Sequence, residues 1–251
     1  MTKGRAPRLY IEAPLASAAI VELESAHAHY LRSVLRLAPG SAVVAFNPAE
    51  GEWLCRVAEI GRDGARLAVE QQLRQAGSGS EGDLWLLFAP IKRARLDWLV
   101  EKATELGVSA LLPVWTARTQ SERVNLERLL AHTIEAAQQS ERLTVPEIRQ
   151  PEDLKALLAI WPATRRLIVC DETGRGEPIG PVLAQLPPGP AALLVGPEGG
   201  FDQTELDALA KLSFVTRVGL GPRVLRAETA ALAALAVFQA TAGDWRRIRT
   251  R

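Results

Sequence analysis

LLVGPEGGFDQTEL, residues 193–206, is the stretch on which the reading of this chain turns. An apolar run from Ala191 to Val195 stops at Gly196-Pro197. FDQTEL then opens a helix, with Asp202 as N-cap, Glu205 as its capping-box partner, and Phe201 with Leu206 as a hydrophobic staple. A strand that passes through a glycine turn into a helix is the repeating unit of a parallel sheet. In such sheets ligands sit beyond the carboxyl ends of the strands, where loops and helix starts present free N–H groups. The glycines by themselves serve equally a tight turn and a close approach of backbone to ligand. No Gly-Lys-Ser/Thr follows and no GxGxxG occurs, so this is neither a phosphate loop nor a dinucleotide fingerprint.

The same alternation extends in both directions. DLWLLFAP (83–90) leads to the helical RARLDWLVEKATEL (93–106), closed by Gly107, then to VSALLPVW (108–115) and a helix from about Asn125 to Arg142. A helix opened at Pro151, RRLIVC (165–170) and FVTRVGLG (214–221) complete the pattern. Two more strand ends stand out, Cys170-Asp171-Glu172 and Leu220-Gly221-Pro222-Arg223. After the second, Arg223, Arg226 and Glu228 fall within six residues. The helix beyond is apolar nearly all round, so it must be buried in a core or against another subunit. The Arg and Glu residues there fit a structural ion pair as well as a site.

Before QAGSGSEGD (75–83), a Gly/Ser-rich linker, the pattern differs. Short apolar runs at 19–23, 41–46, 52–60 and 65–73 alternate with turn signals such as Asn47-Pro48 and Asp63-Gly64, and one helix is predicted over Ser25 to Leu37. The chain therefore divides into a small β-rich domain (1–74), the linker (75–83) and an α/β domain (84–251).

With 47% hydrophobic and 24% charged residues, the 251-residue chain is an ordinary globular one. Its 30 Lys and Arg against 29 Asp and Glu leave a net charge of +1, so a nucleic acid must be held by local patches. Cys55 and Cys170, with His27, His29 and His132, form neither a disulfide framework nor a zinc spacing, and a reducing compartment is expected. No apolar run approaches the length of a bilayer span, so no membrane partner and a cytoplasmic location are expected.

LLVGPEGGFDQTEL (193–206) and LGPRVLRAETAAL (220–232) together resemble the closing signature of the bacterial 16S ribosomal RNA uridine methyltransferases that act on the 3-position ring nitrogen, members of the SPOUT superfamily. PRLY (7–10), YLRSVLRLAPG (30–40), EKATELGV (101–108), RTQSER (118–123) and EAAQQSERLTVPEI (135–148) extend the resemblance along the chain. The chain departs from the pattern at Tyr30, where members commonly have His, and at Gln138, where they commonly have Glu. No role passes to either.

The resemblance implies an α/β SPOUT knot, a deep trefoil, preceded by a small PUA-like RNA-binding β-barrel. It also implies a homodimer acting on 16S rRNA of the small ribosomal subunit with S-adenosyl-L-methionine as cofactor and no metal. The expected cofactor residues are Leu194, Val195, Gly196, Glu198, Gly199, Leu220, Gly221, Leu225, Arg226 and Ala227. Leu194, Val195, Leu220 and Leu225 would wall an adenine slot, and the glycines would let backbone come close. Glu228 is the first candidate base for the imide proton and Arg226 the first stabiliser of the uracil anion, with Arg223 and Glu198 beside them. RNA-binding candidates are Arg5 and Arg8 near the N-terminus, Arg32 and Arg36 one helical turn apart, and Lys92 and Arg93 with Arg95 at a strand-to-helix junction.

Two other classes compete. A non-catalytic RNA-binding factor would need no cofactor cleft, which GPEGG and LGPRVLRAET supply. A nicotinamide-dependent enzyme lacks its fingerprint.

Overall fold

A computed structural model describes residues 6–78, 82–120 and 123–246. The chain falls into two units, one of residues 1–80 with 137–145, the other of 81–136 with 146–251. Contiguous reading does not assign residues 137–145 to the first unit. Their place there rests on contacts made across 67 to 134 residues of sequence, from Arg74, Arg8 and Tyr10.

The first unit holds strands β1 (Arg8–Tyr10), β2 (Ile20–Glu24), β3 (Ala42–Asn47), β4 (Gly51–Ile60) and β5 (Gly64–Arg74), in the order β1-β3-β4-β5-β2. β1 lies parallel to β3 and the other pairs are antiparallel. The four predicted apolar runs are four of these strands. Among the described residues β1 and β2 remain unpaired edges, so the expected barrel is a half-barrel. Its concave face is filled by Val43, Ala45, Cys55, Val57, Leu67 and Val69, all buried.

The helix predicted over Ser25 to Leu37 is shorter. Helix α1 (Ser25–His29) passes into a π-helical turn, Tyr30–Val34, closed by Leu35 N–H donating to the Tyr30 carbonyl. Arg36 then takes a left-handed φ of +54°. Only Ala28 and Leu31 are buried along this stretch and Val34 is exposed, so packing does not propagate the helix.

The second unit carries β6 (Leu84–Phe88), α2 (Arg93–Glu105), β7 (Ala110–Trp115), α3 (Leu126–Ser140, whose residues from 137 on belong to the first unit), β8 (Glu147–Ile148), β9 (Glu152–Asp153), α4 (Leu154–Ala159), β10 (Arg166–Cys170), β11 (Glu177–Pro178), α5 (Ile179–Ala184), β12 (Ala191–Val195), α6 (Gln203–Leu209), β13 (Val215–Gly219) and α7 (Ala227–Thr241). The strands form one parallel sheet, ordered β11-β13-β10-β12-β6-β7-β8, with β9 against β7. The side-chain period of two sends alternate residues to opposite faces. Leu86, Phe88, Ile168, Leu193 and Val195 pack with α2, α5 and α7, while Leu87, Leu167, Val169 and Leu194 pack with α4 and α6. Both faces are covered, as the continuous apolar strands require. No helix among the described residues is long and apolar enough to cross a membrane.

Candidate functional site

The order β13-β10-β12 and the parallel register, with Val169 opposite both Leu194 and Arg217, bring the three strand ends, two of them glycine-bearing, to one edge of the sheet. The turn after β12 is built as its sequence predicts. Asp202 accepts from Thr204 N–H at 2.9 Å, Glu205 accepts from Asp202 N–H at 2.8 Å, and Phe201 and Leu206 are both buried in one cluster. The hydrogen bonds from Thr204 hold the Asp202 carboxyl below the usual carboxylate range.

The glycines of this turn separate by duty. A Cβ on Gly196 would stand 2.9 Å from the Phe201 ring, and one on Gly200, at φ +70°, would run into the Glu172 carboxylate. Glu172, from the loop after β10, accepts from Phe201 N–H at 2.8 Å and so ties two strand ends together. Gly196 and Gly200 therefore serve the turn. Gly199 has only ordinary contact with Arg118, whose guanidinium donates to the Gly199 carbonyl at 3.0 Å and pairs with Asp202 at 3.4 Å.

Asp171 begins the loop after β10. Its carboxylate accepts from Thr173 N–H at 2.9 Å and Thr173 Oγ1 at 2.7 Å, and pairs with Arg217 at 2.5 Å. Burial pushes its pKa up, but the Thr173 and Arg217 bonds outweigh burial and leave the carboxyl below its ordinary range. Beside it, burial pushes the Cys170 thiol up to about 12, which makes it an inert core residue.

The third strand end is the open one. Gly221 has φ +99° and nothing within 4 Å of a would-be Cβ. Leu220 and Leu225 are half-buried, Val224 is 86% exposed, and Arg223 and Arg226 are exposed with no side-chain partner among the described residues. One exposed and two half-buried apolar side chains around a left-handed glycine, flanked by unengaged cations, make a wall that a ligand would cover. This combination fits an adenosyl ligand: apolar surface for a base and a glycine that leaves the backbone approachable.

Glu228, in the first turn of α7, is buried. Its Oε1 lies 3.5 Å from Arg95 Nε and its Oε2 has no partner among the described residues. Its ion-pair partner is thus Arg95 of α2, rather than the Arg223 or Arg226 beside it in sequence, because the first turn of α7 packs on that of α2. Arg226 is the N-cap residue of α7 and makes no side-chain cap bond. Ala227 is buried behind it. Leu194 and Val195 are packed into opposite cores, so only their backbone borders the edge, and Glu198 is exposed.

The RNA candidates are sorted by their partners. Lys92 and Arg93 are exposed at the start of α2 and line a cleft with Glu198. Arg32 is exposed and donates to the Gly61 carbonyl at 2.9 Å. Arg36, beyond the helix end, does not share a helix face with Arg32 as predicted. Arg5 lies outside the described residues.

Arg8 is corrected outright. Its Nε pairs with Glu52 at 2.7 Å, its Nη1 donates to the Ala137 and Gln138 carbonyls at 2.8 and 3.0 Å, and its Nη2 donates to the Arg142 carbonyl at 2.7 Å. Its guanidinium also lies 4.0 Å from the Phe46 ring centroid. The guanidinium satisfies free carbonyls at a helix end and has nothing left for a phosphate. Gln138, the departure from the family pattern, accepts from Tyr10 N–H at 3.0 Å, a bond that a Glu would make as well. The sequence assigns no role to Arg118, although RTQSER contains it. It places Arg95 among the phosphate contacts, since nothing local links it to Glu228.

A family model described as RNA methyltransferase domain matches residues 79–239, and one described as RNA methyltransferase PUA domain matches residues 23–70. Ribosomal RNA small subunit methyltransferase E of Rickettsia conorii is 35% identical over 231 residues, covering 91% of this chain and 93% of that protein. The protein of the same name from Bacillus subtilis is 29% identical, over 84% of this chain and 86% of its own length. Among solved structures, Ribosomal RNA small subunit methyltransferase E from Neisseria gonorrhoeae bound to S-adenosyl methionine is similar with TM-score 0.82 and 28% identity, covering 96% of this chain and 100% of that one.

Proposed function

The chain belongs to the family of ribosomal RNA small subunit methyltransferases E, and on that premise we propose that it methylates the 3-position ring nitrogen of a uridine in 16S rRNA with S-adenosylmethionine. The observation that carries this reading is the open strand end: Gly221 with free space, exposed Val224, half-buried Leu220 and Leu225, and unengaged Arg223 and Arg226.

When bound, S-adenosylmethionine supplies an electrophilic methyl group on a sulfonium. The protein's task would be to hold the uracil nitrogen in line with that methyl and to remove the imide proton as the N–CH₃ bond replaces the S–CH₃ bond, the neutral thioether S-adenosylhomocysteine being the leaving group. Glu228 accepts the proton on its unpartnered Oε2, while Arg95 keeps the carboxylate oriented through Oε1. Arg226, at the mouth of α7, stabilises negative charge on the uracil oxygens, and Arg223 engages RNA phosphate. Leu220, Gly221 and Leu225 carry the adenosyl contacts, with the backbone of Gly196, Glu198 and Gly199 closing the other side.

In this reading residues 1–74 are the PUA-like RNA-binding domain, 75–83 the linker and 84–251 the knotted SPOUT domain. The enzyme works in the cytoplasm, where its rRNA is made. It acts as a homodimer, supported by Trp98 at 44% exposure on α2 and by the half-exposed Leu232, Ala233, Ala236 and Val237 on α7. Light scattering that gives a monomer mass at micromolar concentration overturns the dimer.

Calorimetric titration tests the cofactor. S-adenosylmethionine and S-adenosylhomocysteine should bind and NADH should not. Failure of the first two, with and without rRNA, overturns the assignment.

A further inference from the structure

We propose that the cleft between the starts of α2 and α3 receives one unstacked pyrimidine nucleotide of the substrate RNA, oriented by Arg128. The proposal rests on the methyltransferase reading above and adds to it the place of the target nucleotide. The 3-position nitrogen is on the pairing edge of uracil, so within a base pair it is out of reach. An enzyme that modifies it needs a pocket for a single flipped or unpaired nucleotide.

The cleft has the size and chemistry of such a pocket. Its volume is about 480 Å³, within the range of small-ligand sites. Ile91, Leu96 and Leu129 give it an apolar floor, and Lys92 and Arg93 stand at its rim as phosphate contacts. Glu198 lines it too, which puts it against the glycine turn assigned to the cofactor.

Arg128 distinguishes this cleft from a merely basic groove. Its Nη2 is bound to Asp97, which also lies 3.6 Å from His132 Nε2, so one end of the guanidinium is tethered. Arg128 lines the cleft, and its Nη1 is buried with no partner among the described residues. A buried donor without an acceptor is costly, and native structures retain one where a ligand completes it. A uracil carbonyl, one on each side of the ring nitrogen, is such an acceptor. Asn125 accepts from Arg128 N–H at 2.9 Å and starts α3 at this place.

Two variants and a cross-link test this. Gln120 is exposed on the cleft lining and makes no side-chain bond among the described residues, so Gln120→Trp fills the cleft without removing a bond. Arg128→Lys keeps the charge and loses the fork. Each should raise KM for 16S rRNA by about tenfold or more. Affinity for S-adenosylmethionine should stay within about twofold of wild type, since neither residue is assigned to the cofactor wall. RNA carrying 4-thiouridine at the modified position should cross-link to the peptide that contains residues 120–129. Unchanged KM and kcat in Gln120→Trp, or a cross-link outside the cleft, overturns the proposal. A wild-type protein that neither binds S-adenosylmethionine nor methylates RNA overturns the methyltransferase reading instead, and the cross-link still judges the cleft.

Discussion

Arg8 in the β-rich unit and Arg226 in the α/β unit are both arginines inside family-like motifs, and they are put to opposite uses. Arg8 spends its guanidinium on Glu52, three backbone carbonyls and the face of Phe46. Arg226 stands exposed at a helix start with no partner among the described residues, beside a glycine with open space. A motif tells that a residue is wanted. Its partners tell whether it is wanted for the fold or for a ligand.

The strongest way to break this comparison is to truncate both residues. Arg226→Ala should lower methyl transfer by about 10²–10³-fold, the range for loss of a transition-state charge contact, with an unchanged melting temperature. If Arg226→Ala is fully active, the site assignment fails. Arg8→Ala should do the reverse. It leaves Glu52 buried with half its compensation and should cost about 3–5 kcal/mol in urea denaturation. An Arg8→Ala protein of wild-type stability would reopen its role in RNA binding.

Acid titration sharpens the same contrast. Burial pushes the Glu52 pKa up, and bonds from Arg74 and Arg8 outweigh it, leaving the carboxyl below its ordinary range, as for Asp171. A depressed folded-state pKa contributes stability above the unfolded value of about 4 and loses it as pH falls through the folded one. Urea midpoints should therefore be flat near neutrality and drop below about pH 4. Glu52→Gln should reduce that drop. The smallest effect expected is at the turn after β12, where Asp202→Ala removes a cap and should cost about 1 kcal/mol.

What was legible in the sequence was local. The capping box of Asp202 and Glu205, the staple of Phe201 and Leu206, and the strand–helix alternation all depend on neighbours within a few residues, and the structure reproduces them. What was not legible spans long separations. Glu52 lies 44 positions from Arg8, and Arg95 lies 133 from Glu228, so no spacing rule pairs them. The helix over Ser25 to Leu37 is shorter than its pattern predicts because Leu31, Val34 and Leu35 mimic a helical stripe although Val34 faces solvent. At the glycine turn, sequence alone could not say which glycines serve the turn. Gly196 and Gly200 do, through Phe201 and Glu172, and Gly221 is the one with space beside it.

The most direct test of the central claim is to incubate the protein with small ribosomal subunits and methyl-labelled S-adenosylmethionine, then digest the 16S rRNA to nucleosides and identify the labelled one by mass spectrometry. The account predicts label in 3-methyluridine, lost with Arg226→Ala and Glu228→Gln. Label on a ribose 2′-hydroxyl, on another base, or undiminished in both variants would contradict it.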